Sequence, residues 1–114
     1  MDDCIFCKIV SGGILAKIIY ENAHVIAIDD INPVAKVHAL IITKKHRDNI
    51  LSLGADCADE LCGVQLAVLE IAKLKGVEES GFRLLTNCGD DGGQSVPHLH
   101  FHVVGGQRLG PKLF

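Results

Sequence analysis

Three histidines stand at alternate positions near the C-terminus, in His98-Leu99-His100-Phe101-His102-Val103-Val104. Side chains alternate across a β-strand, so His98, His100 and His102 are predicted to share one face, with neighbours about 6.6–6.8 Å apart. Leu99, Phe101 and Val103 then point the other way, into a core, and the imidazole face meets solvent or ligand. Imidazole has little strand advantage, and three charged rings side by side would repel, so packing does not explain the pattern. Two chemistries do. His-x-His on a strand can grip a metal such as zinc. Alternatively, one ring is a nucleophile and the others orient it and its ligand. Neutral imidazole attacks phosphorus well near pH 7 because its pKa lies near 6.5.

The preceding segment, Asn87-Cys88-Gly89-Asp90-Asp91-Gly92-Gly93-Gln94-Ser95, bears on the choice. Its glycines let backbone amides converge on an anion. Gln94 and Ser95 add neutral donors, and Asn87 closes the other end. Amides and hydroxyls beside imidazoles suit a phosphate better than a bare metal cage, which would want carboxylates or thiols. Asp29-Asp30, at the end of a strand run, offers carboxylates that can accept the vicinal hydroxyls of a ribose. Cys4-Ile5-Phe6-Cys7 is a possible metal half-site. His24 and His38 have no chemical partners in sequence and read as structural. Cys57, Cys62 and Cys88 read as small buried apolar residues.

These groups need a scaffold. Asp2 or Asp3 caps a short helical turn that ends at Ser11-Gly12-Gly13. Ala16 to Tyr20 and His24 to Ile28 are rich in β-branched residues and form a hairpin around Glu21-Asn22. Pro33 stops that run. His38 to Thr43 reads as a buried strand, Phe82 to Thr86 as another, and His98 to Val104 as the last. Between them lies one long helix, N-capped by Asp56 and closed by Gly76, with Asp59 and Glu60 at its positive end. Its main stripe is Leu61, Val64, Val68, Ile71 and Ala72. A second stripe, Cys62, Leu66 and Leu69, implies cover on another side and favours a homodimer interface. The fold class is α+β, with a five-stranded antiparallel sheet, one long helix and a short N-terminal helix.

The 114 residues make one domain, residues 1–114, and 48% hydrophobic against 22% charged excludes disorder. A net charge of −3 argues against broad nucleic-acid or anionic-membrane binding. No apolar run approaches a membrane span. Met1-Asp2-Asp3 lacks a signal-peptide n-region, and five cysteines without a secretory start fit reduced thiols in a cytoplasmic protein.

The last strand resembles the histidine-triad pattern His-φ-His-φ-His-φ-φ, with φ apolar. Gly92-Gly93-Gln94-Ser95-Val96, Asp30-Ile31-Asn32-Pro33, Leu40 to His46 and Ile5-Phe6-Cys7-Lys8-Ile9 are also similar to the Hint-type branch, the histidine triad nucleotide-binding proteins. The resemblance covers nearly the whole chain. It implies a compact homodimer that hydrolyses purine nucleoside phosphoramidates and releases AMP and an amine. It implies that His100 is the nucleophile and that His102 contacts phosphate. Gly93, Gln94 and Ser95 would bind phosphate oxygens, with Ser95 near the leaving amine. Asp30 would take the ribose, Ile31 would line the nucleoside pocket, and Asn87 would contact the nucleotide. Cys4-x-x-Cys7 resembles the zinc-bearing relatives, which implies a structural Cys4, Cys7, His46, His98 site. No cofactor is implied for the chemistry itself. Pro97 stands where relatives are often aromatic. The same superfamily also contains dinucleoside polyphosphate hydrolases and nucleotidyl transferases. A nucleotide-binding regulatory module and a metallohydrolase built on the triad are further alternatives.

Overall fold

A computed structural model of the chain describes residues 3–111. Five strands, β1 (Ile18–Glu21), β2 (Val25–Asp29), β3 (Val37–Thr43), β4 (Phe82–Leu85) and β5 (His100–Gly105), form one sheet in the order β1-β2-β3-β5-β4. Every pairing is antiparallel. Two α-helices accompany them, α1 (Ile5–Ser11) and α2 (Ala58–Leu74). The α+β class, the five strands and the long and short helices predicted from sequence are all present.

Val25 to Ile28 and Ala39 to Ile42 are apolar without interruption because both faces of the sheet are covered there. On one face, Val64, Ala67, Val68 and Ile71 of α2 pack on Val25, Ala27, Ala39, Ile41, Leu99, Phe101 and Val103. On the other, Phe6 of α1 packs on Ile26, Ile28, Leu40 and Ile42. Each large side chain so buried contributes roughly 1.5–3 kcal/mol. The triad histidines belong to this second face. His100 lies opposite Ile42 and His102 opposite Leu40.

Several boundaries move. The last strand begins at His100, not His98, because His98 lies in the turn before it and its own amide bonds to the Val96 carbonyl. Only the His102 end of the imidazole face is partly open to solvent. His98 is fully buried and His100 is 6% exposed, because α1 roofs them. Cys4, not an aspartate, caps α1, its sulfur accepting from the Cys7 amide at 3.3 Å. Asp2 lies outside the described residues. Asp56 sits in a 3-10 turn, Ala55–Cys57, that leads into α2 without a side-chain cap. Gly76, at φ +69°, closes that helix as expected. Cys57 is buried, but Cys62 is exposed and Cys88 half-buried. The second stripe of α2 is exposed at Leu66 and Leu69, and Leu61 of the first stripe joins it.

Candidate active site and metal centre

The hydrogen bonds of each ring fix where its proton sits. His100 Nδ1 lies 2.7 Å from the carbonyl oxygen of His98. A carbonyl only accepts, so Nδ1 carries the proton and Nε2 keeps its lone pair. Burial pushes the pKa of His100 down, against an opposing pull from the His98 carbonyl and Asp30. The ring is therefore neutral near pH 7 and nucleophilic at Nε2. Phe6 meets it edge-on, with ring centroids 4.9 Å apart. The Thr86 hydroxyl donates to the His100 carbonyl at 2.7 Å and pins the backbone from the end of β4.

His102 is oriented from the opposite side. The Val34 amide donates to His38 Nδ1 at 3.1 Å, so the His38 proton lies on Nε2. That Nε2–H reaches His102 Nδ1 at 2.8 Å and Asp30 Oδ2 at 3.3 Å. His102 Nδ1 must then accept, which leaves His102 with its proton on Nε2 as a neutral donor. Burial, with repulsion from His100 and His38, pushes its pKa down to about 4. The neighbouring rings, 5.1 Å apart between centroids, thus hold opposite tautomers. One presents a lone pair and the other an N–H, a combination that can attack phosphorus and hold its oxygen.

His38 is therefore not merely structural, as the sequence suggested. It lies on the same face as the triad because β3 pairs with β5, a register no local motif announces. Asp30 Oδ1 caps its own turn by accepting from the Asn32 amide at 2.8 Å. Lone pairs remain on both oxygens for a ribose. Ile31 beside it is 91% exposed. Asn87 is half-buried at the end of β4.

The glycine loop is more self-contained than an open anion nest. Gly93 takes φ +72°, and a Cβ on Gly92 would fall 2.5 Å from the Cys88 carbonyl oxygen, so both positions demand glycine. The Gly93 and Gln94 amides already donate to Asp90 and Gly89. The Gln94 side chain donates to the Asp48 and Val96 carbonyls at 2.7 and 3.0 Å and accepts from the Gly89 amide at 2.9 Å. Gln94 shapes the loop. Ser95 is exposed, and its hydroxyl has no hydrogen-bond partner among the described residues.

Cys4, Cys7, His46 and His98 come together as the family resemblance implied, with their donor atoms within 4.8 Å of one another. Cys4 Sγ and His98 Nδ1 are 3.2 Å apart, Cys7 Sγ and His46 Nδ1 3.2 Å, and Cys7 Sγ and His98 Nδ1 3.5 Å. A tetrahedral Cys₂His₂ zinc site has donor-to-donor edges of about 3.3–3.8 Å. Both outer nitrogens are engaged. His98 Nε2–H donates to the Thr43 carbonyl at 2.7 Å, and His46 Nε2 lies 3.1 Å from Asp48 Oδ1. Both Nδ1 lone pairs are thereby turned toward the sulfurs. Burial and the neighbouring Cys4 push the Cys7 thiol up, a cost that a bound cation would reverse. The donor set fits a closed structural metal site.

Comparison with known proteins places the chain in a family. The HIT domain matches residues 11–109. Protein HitA of Neisseria gonorrhoeae is 43% identical over 105 residues, which span 92% of this chain and 97% of that protein. A HIT family hydrolase from Clostridium thermocellum superposes with a TM-score of 0.95 at 44% identity, covering 100% of this chain and 99% of the other. A histidine triad protein from Clostridium difficile gives 0.93 at 42% identity, over 99% and 98%. With its alternating histidines leading into the strand that β3 and β4 flank, and with relatives matched over nearly their whole length, this chain belongs to the HIT family.

Proposed function

We propose that this chain is a purine nucleoside phosphoramidase that works through a nucleotidyl-histidine intermediate. The observation that carries the reading is the pair of opposed tautomers at His100 and His102, each fixed by a buried acceptor or donor. The similarity to a protein described as a HIT family hydrolase supports the hydrolase class.

In this scheme His100 Nε2 attacks the α-phosphorus of an adenosine phosphoramidate. The P–N bond breaks, and the amine leaves with a proton. Water then attacks the nucleotidyl-histidine, the P–N bond to His100 breaks, and AMP departs. Imidazole suits both steps because it is a good nucleophile and a good leaving group. The His102 N–H holds a phosphoryl oxygen; losing one such donor typically costs 10²–10³ in rate. Ser95 hands a proton toward the leaving amine, a contribution of roughly 10²–10⁴-fold. Asp30 takes the ribose hydroxyls, with Ile31 and Asn87 against the nucleoside. The loop carrying Gly93 and Gln94 closes on the phosphate.

Zinc at Cys4, Cys7, His46 and His98 would cross-link the N-terminus to the active-site strand and take no part in either displacement. The exposed Leu66 and Leu69 of α2, with Phe82 and Leu84 of the edge strand β4, favour a homodimer. Free thiols at all five cysteines suit the reducing cytoplasm.

Steady-state kinetics on an adenosine phosphoramidate and on a diadenosine polyphosphate test the substrate class. This reading predicts at least 100-fold higher kcat/KM for the phosphoramidate. The reverse preference would assign a dinucleoside polyphosphate hydrolase. Turnover of neither, with AMP still bound, would assign a nucleotide-binding regulatory protein.

A further inference from the structure

The two thiols of the metal centre also hold one wall of the catalytic site. Phe6 stands between Cys4 and Cys7 on α1, and its ring meets both His98, at 5.9 Å between centroids, and His100, at 4.9 Å. Phe6 is the one buried residue of this seven-residue helix. A helix this short is marginal in water on its own, so its order depends on what anchors it. The anchors are Phe6, with Ile9 and Val10 packed beside it, and at the N-terminal end the contacts from Cys4 and Cys7 to His98 and His46. His98 in turn lends its carbonyl to the nucleophile.

Both thiols are partly exposed. A cavity of about 480 Å³ opens onto Cys4, lined also by His46, Asp48, Ser95, Val96 and Pro97. A small oxidant can therefore reach Cys4. Two residues separate the two cysteines across the helix start, a spacing that allows a disulfide. A disulfide needs its sulfurs about 2.05 Å apart, whereas two thiolates on one tetrahedral metal stand about 3.8 Å apart. The two states exclude each other.

We propose that Cys4 and Cys7 form a redox-responsive clasp, which as a metal-bound dithiolate pins α1 over His98 and His100 and as a disulfide releases both the metal and the helix. The oxidant is a peroxide. The Cys4 thiolate attacks one peroxide oxygen, the O–O bond breaks, and hydroxide leaves a sulfenic acid. The Cys7 thiolate attacks the Cys4 sulfur, the S–O bond breaks, and a second hydroxide leaves. Two sulfurs are oxidised by one electron each, one peroxide is reduced, and the divalent metal departs unchanged. A dithiol reductant with fresh metal reverses the change. The effect on AMP affinity rests on the nucleotide reading above; metal release and helix order do not.

The test uses the zinc-loaded full chain carrying Cys57→Ala, Cys62→Ser and Cys88→Ser, treated with one equivalent of hydrogen peroxide. The expected results are release of one zinc per chain to a chromogenic chelator and a mass lower by two hydrogens in the zinc-free chain. Amide exchange over residues 5–11 should accelerate at least tenfold, and AMP affinity should fall several-fold. Dithiothreitol with zinc should restore all of these. Zinc retained with oxygen added to the mass would overturn the proposal, as would a disulfide formed with α1 exchange unchanged. The Cys4→Ser, Cys7→Ser double variant should show fast α1 exchange before any peroxide; exchange as slow as in the parent would also overturn it. If AMP binds neither form, the nucleotide reading fails, and the clasp is judged on zinc release and exchange alone.

Discussion

Replacing His38 with Phe removes the one donor that sets the His102 tautomer while filling the same space. His38 is 6% exposed and spends Nδ1 on the Val34 amide and Nε2 on His102 and Asp30. The Val34 side of the loop is open to solvent, so its amide regains water. The net stability cost is that of losing neutral hydrogen bonds, about 1–2 kcal/mol, and the variant stays folded. The catalytic cost is larger. Without the His38 N–H, His102 no longer keeps its proton on Nε2, and the donor to the phosphoryl oxygen is lost for much of the time. Loss of one fixed donor costs 10²–10³, or about 2.7–4 kcal/mol of barrier. The assay is kcat and KM on an adenosine phosphoramidate beside a thermal melt. Most of the fall should lie in kcat, because the donor matters most when charge builds on phosphorus. His38→Gln, whose side-chain amide restores an N–H, should recover part of it. A folded His38→Phe enzyme with kcat within twofold of the parent would refute the tautomer argument.

Three further outcomes follow from the same geometry. His102 has its folded pKa lowered to about 4, while the unfolded ring titrates near 6.5. The unfolded chain therefore binds the extra proton first, and stability should fall as pH drops from about 6.5 to 4 and level off below that. The partly exposed ring brings this loss to roughly 2 kcal/mol once solvent screening is allowed for, and His102→Gln should flatten that part of a urea-melt pH series. Asp48→Ala leaves His46 Nε2 without its carboxylate and should weaken zinc binding by 10–100-fold in a competition titration, while an unchanged affinity would put Asp48 outside the site. Leu66→Glu with Leu69→Glu should turn a dimer into a monomer in analytical ultracentrifugation, and a monomeric parent would remove the interface assigned to α2.

The sequence was most legible where periodicity and residue type coincide. The alternating histidines, the apolar β2 and β3 and the α2 stripe each announce an element and a face. Cys4-x-x-Cys7 with His46 and His98 was legible only through family resemblance, because His46 and His98 are 52 residues apart in sequence. What stayed hidden depends on strand register and on close packing. His38 joins the site because β3 lies beside β5, and Thr86 because β4 ends next to His100. That α1 roofs the opening of the triad is not legible, because alternation says which residues share a side, not whether a helix covers it. Gln94 reads as a phosphate donor by type. Its side chain instead turns onto the Asp48 and Val96 carbonyls, since a tight glycine turn leaves those acceptors within reach.

The central claim is that one neutral ring, His100, takes the nucleotidyl group from the substrate. Mass spectrometry of enzyme quenched in acid-free denaturant during turnover of an adenosine phosphoramidate tests it most directly. The account predicts an adenylyl mass on the peptide bearing His100, localised to that ring and absent from His100→Ala, which still binds AMP. Turnover at the full rate by His100→Ala, or an adduct found on His98 or His102 instead, would contradict it.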